Sequence, residues 1–262
     1  MSSKKTDITF LVPVLGVNEE CLNELDTTIK SISEIKTDKP LKCILSVNTQ
    51  DYDKVIAIVE KYDALTNFSA KVIKDDSEDV FTVINNMVSR CTTKYFSVTE
   101  PNGFYMEYLL NVFDEFTSKK GDLDILLSII EVTKDKRLLS FNNEIAWSPS
   151  FSNDELGYID FKQVQDYKDF NLLGGFIKTE WFISTKGFDT SLKICAPYNL
   201  LLRAAKAGLK IYVLPKVLYS LNDNENTSAY IRQRLSITDE EGVKLLSKAS
   251  TLEGDNEEEK ED

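Results

Sequence analysis

The stretch ITFLVPVLGVNEECLNELDTTIKSISEIKTDKPLKCILSV, residues 8–47, determines the fold of the N-terminal half. Its first eight residues form a continuous apolar run, as in a strand buried on both faces of a parallel sheet. Apolar residues then recur three and four positions apart and predict one buried helix face: Leu22, Leu25, Ile29, Ile32 and Ile35. A second apolar run, residues 41–47, predicts another strand. The stretch therefore predicts a strand–helix–strand unit.

The same alternation continues to residue 100. We predict helices over residues 52–65 and 79–90, and strands over residues 69–74 and 95–100. Four strand and helix pairs in sequence are typical of an α/β protein with a doubly wound, mainly parallel sheet and flanking helices.

The second half of the chain is less regular. The pattern predicts a helix over 104–116, a strand over 124–130, and loops with no clear period from there to residue 169. A helix over 198–207 ends at Gly208, and a strand follows over 209–215. We predict one domain over residues 1–235 and a C-terminal helix over 236–252. The last ten residues, 253–262, hold seven acids and one lysine and predict a disordered tail.

Composition restricts the chemistry open to the chain. Among 262 residues there is no histidine, which excludes every imidazole base, imidazole ligand and histidine-dependent nucleophile. The formal net charge of −12 has the wrong sign for binding nucleic acid or an anionic membrane surface.

Cysteine spacing and hydropathy bear on the compartment. Cys21, Cys43, Cys91 and Cys195 form no CxxC pair, which argues against a zinc site or a disulfide framework. No signal peptide and no segment of bilayer-spanning length is recognisable. We therefore predict no membrane insertion, and a cytoplasmic location or assembly into a particle made inside the cell.

Three stretches resemble family-2 glycosyltransferases. They are the opening residues 8–32, residues 83–113 with an Asn-bearing helix and its following strand, and residues 171–219 with Gly-Gly, Gly-Phe-Asp and Leu-Leu-Arg motifs. Together they extend over roughly residues 8–220. The resemblance implies the GT-A fold, which binds a nucleotide-sugar donor with a divalent cation.

The carboxylates that the resemblance requires are missing. The donor-binding Asp position falls on Ser46-Val47-Asn48, and the metal-binding Asp-x-Asp falls on Thr99-Glu100-Pro101. Mg²⁺ and Mn²⁺ prefer carboxylate oxygen, so Glu100 is the only nearby substitute ligand. The catalytic-base position falls on Ala196 and Pro197, neither of which accepts a proton.

The resemblance nevertheless gives candidate contact residues. The donor-side candidates are Pro13, Val14, Ser46, Asn48, Asp75, Asp76, Asn85, Thr99, Glu100 and Asn102. The acceptor-side candidates are Gly174, Gly175 and Trp181. Simpler interpretations stay open: Asp75 and Asp76 as turn residues, the glycines as positive-φ positions, and the aromatic residues Trp181, Phe176 and Phe182 as core.

Two further features have simpler explanations than catalysis. A literal Asp-x-Asp at Asp122-Leu123-Asp124 follows Gly121 between a predicted helix and strand, where acids commonly stabilise turns. Arg203 lies among apolar helix residues, and we expect it to form an ion pair rather than to act in catalysis.

The hypothesis is a glycosyltransferase-like domain that has lost catalysis and serves as a binding or structural subunit, for example in a virus particle. It predicts no cofactor and no metal, and it predicts protein partners, with a homo-oligomer left open. The alternative is an active hexosyltransferase that uses a UDP-sugar with Mn²⁺ or Mg²⁺, or without metal. A dinucleotide-binding oxidoreductase is set aside, because the turn at Gly16 lacks the Gly-x-Gly-x-x-Gly pattern.

Overall fold

The structure is a computed structural model that describes residues 7–135, 137–152, 155–167 and 169–222, with the backbone alone at 193 and 194. The described residues form a mixed sheet of ten strands at its centre. The predicted helix 236–252 and the predicted acidic tail 253–262 lie outside the described residues. The strands are β1 (Ile8–Val14), β2 (Leu41–Val47), β3 (Phe68–Lys74), β4 (Tyr95–Val98), β5 (Gly103–Tyr105), β6 (Ile125–Lys134), β7 (Arg137–Asn142), β8 (Tyr158–Ile159), β9 (Phe176–Lys178) and β10 (Ile211–Asn222).

The strand order is β3-β2-β1-β4-β9-β6-β10-β5, with β7 beside β6 and β8 beside β10. The pairings β1–β2, β1–β4, β2–β3 and β6–β10 are parallel, and the short strand β9 runs antiparallel to both β4 and β6. It follows that β1, β2, β3, β4, β6 and β10 all point the same way. The predicted fold class, a mixed and mainly parallel sheet with flanking helices, is confirmed.

Within the described residues, seven α-helices flank the sheet: α1 (Glu19–Ser33), α2 (Tyr52–Val59), α3 (Val80–Val88), α4 (Leu109–Lys120), α5 (Phe161–Asp166), α6 (Thr179–Ser184) and α7 (Ala196–Lys206). The start of α1 shows how the sequence sets a boundary, because the Asn18 side chain accepts a hydrogen bond from the Cys21 amide at 2.7 Å. Leu25, Ile29 and Ile32, three apolar residues of the predicted helix face, are fully buried. Their burial supplies the main driving force for docking the helix.

The predicted helix over residues 104–116 begins too early. Gly103–Tyr105 instead forms β5, which pairs antiparallel with residues 219–221 of β10, and α4 starts only at Leu109. The local apolar pattern fits a helix, but pairing with a strand more than a hundred residues away determines the structure. Tertiary context overrides local propensity here.

The predicted loop region from 131 to 169 was also partly wrong. It contains the end of β6 and the elements β7, β8 and α5, where Asp160 and Gln163 form a capping box. The predicted strand over 209–215 is the first part of the longer strand β10. In contrast, Gly208 follows α7 at φ +71°, as predicted for a helix C-terminus.

In the part of the chain that the structure describes, no helix is long and apolar enough to cross a bilayer. The four cysteines are present as free thiols.

Candidate functional site

The C-terminal edge of the parallel strands brings most of the candidate residues together. Ligands of open α/β sheets bind in the crevice at this edge. The loops after β1, β2, β3 and β4 all emerge here, since these four strands are parallel neighbours. Pro13 and Val14, the candidates in β1, are themselves buried inside the strand, and Leu15, with 47% of its surface exposed, is the first residue to face solvent.

The loop between β4 and β5 occupies the position where the resemblance places the metal. Thr99, its first residue, is fully buried, and its amide donates to the Leu11 carbonyl oxygen at 2.9 Å. The Thr99 hydroxyl is 2.9 Å from the Tyr219 hydroxyl of β10, which also accepts from the Glu100 amide at 3.4 Å. The first position of the expected Asp-x-Asp is therefore part of the protein core.

The rest of this loop is bonded into the fold as well. The Thr28 hydroxyl of α1 donates to the Pro101 carbonyl oxygen at 2.6 Å, and the Gly103 amide donates to the Glu100 carbonyl oxygen at 3.0 Å. Asn102 is buried, and its side-chain amide donates to the Asn222 carbonyl oxygen at 2.6 Å. Hydrogen bonds to both neighbouring strands and to α1 thus hold residues 99–103 in one conformation.

Glu100 is the one carboxylate in the loop. The residue is half-buried, and burial raises the pKa of its carboxyl to about 8. At neutral pH the carboxyl is therefore largely protonated. A protonated carboxyl is a poor ligand for Mg²⁺ or Mn²⁺, because the cation must first displace the proton.

The end of β2 provides little for a nucleotide to bind. Ser46 and Val47 are buried, and within the described residues the Ser46 hydroxyl has no hydrogen-bond partner. The Asn48 side chain accepts from the Asp51 amide at 2.9 Å and so caps the short helical turn that precedes α2.

Asp75 and Asp76, after β3, organise the neighbouring turns. Asp75 accepts from the Ser77 amide at 3.0 Å and from the Asn86 side-chain amide at 2.9 Å. Asp76 accepts from the Thr49 amide at 2.6 Å and from the Thr49 hydroxyl at 2.8 Å, and the amide bond is the main reason that the Asp76 pKa is lowered. Both carboxylates have the contacts that the turn interpretation expects.

Asn85 of α3 also has a structural contact. Its side-chain amide donates to the Phe188 carbonyl oxygen and its side-chain oxygen accepts from the Phe188 amide, both at 2.9 Å. A Cβ atom at Gly187 would lie 2.3 Å from that oxygen, so the glycine makes room for this clamp.

Of the acceptor-side candidates, Gly174 packs against Tyr219. Gly174 has φ +67°, and a Cβ atom there would lie 2.4 Å from Tyr219 Cγ. Gly175 packs against Leu127, while Trp181 lies half-buried on α6. Phe176 and Phe182 are each 1% exposed, which confirms the core interpretation for these two aromatic residues.

The position of the catalytic base has no proton acceptor. Ala196 and Pro197 form the buried first turn of α7. Across the residues that the structure describes, no three His, Cys, Asp or Glu side chains come together as ligands for a metal. The donor set at this edge therefore does not fit the divalent cation that the resemblance implies.

The literal Asp-x-Asp lies at the opposite edge of the sheet, where β4 and β6 begin. Asp122 accepts from Lys94 at 2.6 Å, and Lys178 contacts Asp122 at 3.0 Å and Asp124 at 2.6 Å. The hydrogen bond from Lys94 is the main reason that the pKa of Asp122 is lowered to about 2. A cleft of about 390 Å³ opens beside these residues and is lined by Thr179 among others. The lysines here neutralise the carboxylates, so the cluster fastens strand ends.

Arg203 also has a structural role. Its guanidinium donates to the Asn199 side chain at 2.9 Å and to the carbonyl oxygens of Thr185 and Gly187 at 3.0 and 2.5 Å. These bonds to neutral acceptors hold the turn after α6 against α7, and Asp189 adds an electrostatic attraction to the guanidinium.

Tyr219 is the residue that sequence reasoning missed. It is fully buried, and a Cβ atom at Gly103 would lie 1.8 Å from its hydroxyl oxygen. The contacts of Tyr219 with Thr99 join residues 120 positions apart, and no local pattern reports them. In the sequence, this contact is indicated only by Gly103 and Gly174, which leave space for the Tyr219 ring.

Comparison with known proteins shows which structures share this fold. No protein-family model matches the chain, and no curated protein sequence matches it either. Among solved structures, residues 1–349 of TarS from S. aureus align with a TM-score of 0.62 at 14% identity, covering 87% of this chain and 64% of that one. The same protein in complex with UDP aligns with a TM-score of 0.61 at 13% identity, covering 83% and 60%.

A mannosyltransferase from Pyrobaculum calidifontis, in complex with GDP-Man and Mn²⁺, aligns with a TM-score of 0.59 at 12% identity, covering 84% of this chain and 57% of that one. The chain thus spans about three fifths of the length of these structures. At such low identity the likeness establishes the fold alone: the chain has a GT-A-like fold, as these glycosyltransferases have.

Proposed function

We propose that this glycosyltransferase-like domain has lost catalysis and serves as a binding or structural subunit. The observation that carries the proposal is the bonding of the β4–β5 loop into the core through Thr99 and Tyr219. A loop that holds a cation must point oxygen ligands into the crevice, whereas this loop directs its first hydroxyl inward.

The missing carboxylates set the size of the expected loss. General base catalysis contributes typically ~10²–10⁴-fold in rate, and the base position here is Ala196 and Pro197. A bound metal ion contributes several further kcal/mol of charge stabilisation to the transition state. Losing both contributions should abolish turnover by the route that the family resemblance implies.

The charge of the crevice also supports the proposal. Asp75, Asp76 and Glu78 lie together after β3, at the edge where a nucleotide would bind. A nucleoside diphosphate is anionic and needs compensating positive charge there. Acidic residues at this edge repel the phosphates of such a ligand.

The second candidate function is an active transferase with a UDP-sugar donor, with Mn²⁺ or Mg²⁺ or without metal. One observation favours it: the raised pKa of Glu100, about 8, lies close to the range of a general acid or base at neutral pH. Glu100 would then replace the missing carboxylates.

Nucleotide release distinguishes the two functions. Similar solved structures are complexes with UDP, UDP-GlcNAc and GDP-Man. The full chain is therefore incubated with UDP-GlcNAc or GDP-mannose in the presence of Mn²⁺, Mg²⁺ or EDTA, and the released nucleotide is measured. We expect no release above a protein-free control in any of these conditions. Release that Glu100→Gln abolishes would establish the active enzyme.

We also propose that the domain works through protein partners, with a homo-oligomer or a larger assembly as the form in which it acts. Light scattering on the purified full chain measures the self-association. A pull-down from the native source identifies other partners.

A further inference from the structure

An apolar strand lies exposed at the rim of the sheet. β7 forms a hairpin with β6, and in the part of the chain that the structure describes it pairs with no other strand. Leu138, Leu139 and Phe141 expose 51%, 53% and 40% of their surface. Neighbouring large apolar side chains on a free edge indicate a contact surface.

The chain leaves the described sheet beside this strand. Asn222, the last residue of β10, is paired with Thr133 of β6, and Thr133 is paired on its other side with Leu138 of β7. The three residues form one row across three strands, so Asn222 lies about 10 Å from Leu138. Roughly three or four extended residues span that distance, and residues 223–262 follow Asn222 in the sequence.

The sequence after Asn222 complements the hairpin. The predicted helix 236–252 carries five large apolar residues: Ile237, Val243, Leu245, Leu246 and Leu252. The acidic tail that follows has a net charge of −6. On the hairpin, exposed Lys134 and Arg137 pair with each other at the turn end of the apolar strand and provide charge of the opposite sign.

The register of β7 favours a covering helix over strand addition by a second copy. A shift between Val132 and Thr133 leaves Leu139 as an extra residue in β7, which is a β-bulge. Bulges on edge strands disrupt pairing with a further strand. The apolar side chains remain available to a helix, which contacts side chains and needs no backbone register.

We propose that the C-terminal segment of this chain docks on its own β7 hairpin. The apolar residues of the predicted helix 236–252 cover Leu138, Leu139 and Phe141, and the acidic tail contacts Lys134 and Arg137. Residues 223–235 act as the tether, and a flexible tether of this length has a root-mean-square span of roughly 20 Å. That span is about twice the separation of Asn222 from β7, so the tether reaches the hairpin easily and gives this segment a high effective concentration over a free partner.

Photocrosslinking of the purified full chain tests the proposal. Phe141 is replaced by p-benzoylphenylalanine, the protein is irradiated over a range of concentrations, and the cross-linked peptides are identified by mass spectrometry. We expect a cross-link within one chain to a peptide from residues 236–252, with a yield that does not depend on protein concentration. The paired substitution Leu245→Glu and Leu246→Glu should remove this cross-link.

Two controls make the result decisive. The same probe at Leu65, which is 39% exposed at the opposite edge of the sheet, should give no cross-link to residues 236–252. The paired substitution Lys134→Glu and Arg137→Glu should lower the yield from position 141 at low salt. A cross-link between two copies that grows with concentration, or no cross-link from position 141 to residues 236–252, would overturn the proposal.

Discussion

Tyr219 shows how one side chain determines the character of the crevice. Its ring fills the space left by Gly103 and Gly174, and its hydroxyl contacts Thr99 and the Glu100 amide. Thr99 occupies the first metal-ligand position, and its hydroxyl group is therefore hydrogen-bonded inside the protein. The loop is kept in place by internal bonds, and a cation is not required to order it.

Removing the Tyr219 hydroxyl should weaken the fold. We expect Tyr219→Phe to lower the free energy of unfolding by about 1–2 kcal/mol, because a buried hydroxyl pair is lost without change of shape. Urea denaturation measures the change. Tyr108→Phe is the matched control, because the Tyr108 hydroxyl donates to Val217 on the surface, and its effect should stay below about 0.5 kcal/mol. Equal effects of the two variants would contradict the role given to Tyr219.

Packing around Tyr219 can be separated from backbone strain. Gly174 and Gly208 have nearly the same φ, +67° and +71°, but a Cβ atom meets Tyr219 at Gly174 and nothing within 4 Å at Gly208. Gly208→Ala should cost about 1–2 kcal/mol through strain alone. Gly174→Ala should cost a further ~1–3 kcal/mol, because the added methyl group overpacks the core. Similar midpoints for the two variants in the same urea experiment would rule out the close contact.

Glu100 should make stability fall as pH rises. Its pKa in the folded chain is raised from 4.5 to about 8, so between these values the folded state binds more protons than the unfolded state. Stability from this group is present below pH 4.5 and is lost as pH rises through 8. Glu100→Gln should therefore raise the melting temperature at pH 8 and change it little at pH 4.5. Glu78→Gln removes a charge from the same edge and is the control; a Glu100→Gln effect that is independent of pH would contradict the assignment.

At the scale of the elements, the cluster around Asp122 fastens the beginnings of β4 and β6 to the end of β9. Lys94 precedes β4, Asp122 and Asp124 precede β6, and Lys178 ends β9. The arrangement explains why an Asp-x-Asp sequence stands where no ligand crevice is expected. Aspartates stabilise the structure at the edge where β4 and β6 begin, whereas at the C-terminal edge of the strands aspartates would be able to bind a metal ion.

Acid should weaken this cluster. The pKa of Asp122 is lowered from 3.8 to about 2, so its stabilising contribution is present above pH 3.8 and is lost as pH falls through 2. The Asp122 side chain is 58% exposed, so the contribution should stay below about 1 kcal/mol. Asp122→Asn should flatten the pH dependence of stability between these values, and the difference should shrink in concentrated salt. A steeper acid transition in Asp122→Asn would contradict this role.

The elements also show what the sequence could and could not predict. The apolar runs of β1 and β2 and the helical spacing of α1 are local signals, and the structure places all three where the pattern predicted them. β5 depends on a partner more than a hundred residues away, Leu221 for Gly103, so its short sequence carries no sufficient signal. The same holds for the candidate site. The strand ends that form it were predictable from local sequence, but the contact between Thr99 and the distant Tyr219 was not.

For the whole molecule, a transferase fold persists while the carboxylates that its chemistry requires are absent. The core that maintains the fold consists of apolar residues from every helix and from every strand except β7, and at the crevice it includes Val14, Val47 and Tyr219. The fold by itself therefore does not establish an activity.

The central claim is most directly tested by the melting temperature of the full chain with UDP, GDP, UDP-GlcNAc or GDP-mannose, each with Mn²⁺ and with EDTA. A ligand at 100 times its Kd stabilises a protein by ~2.7 kcal/mol, which is readily detected. We predict the same melting temperature in Mn²⁺ with and without nucleotide. A rise that requires both Mn²⁺ and nucleotide, and that Glu100→Gln removes, would contradict the claim that this edge holds no catalytic cation.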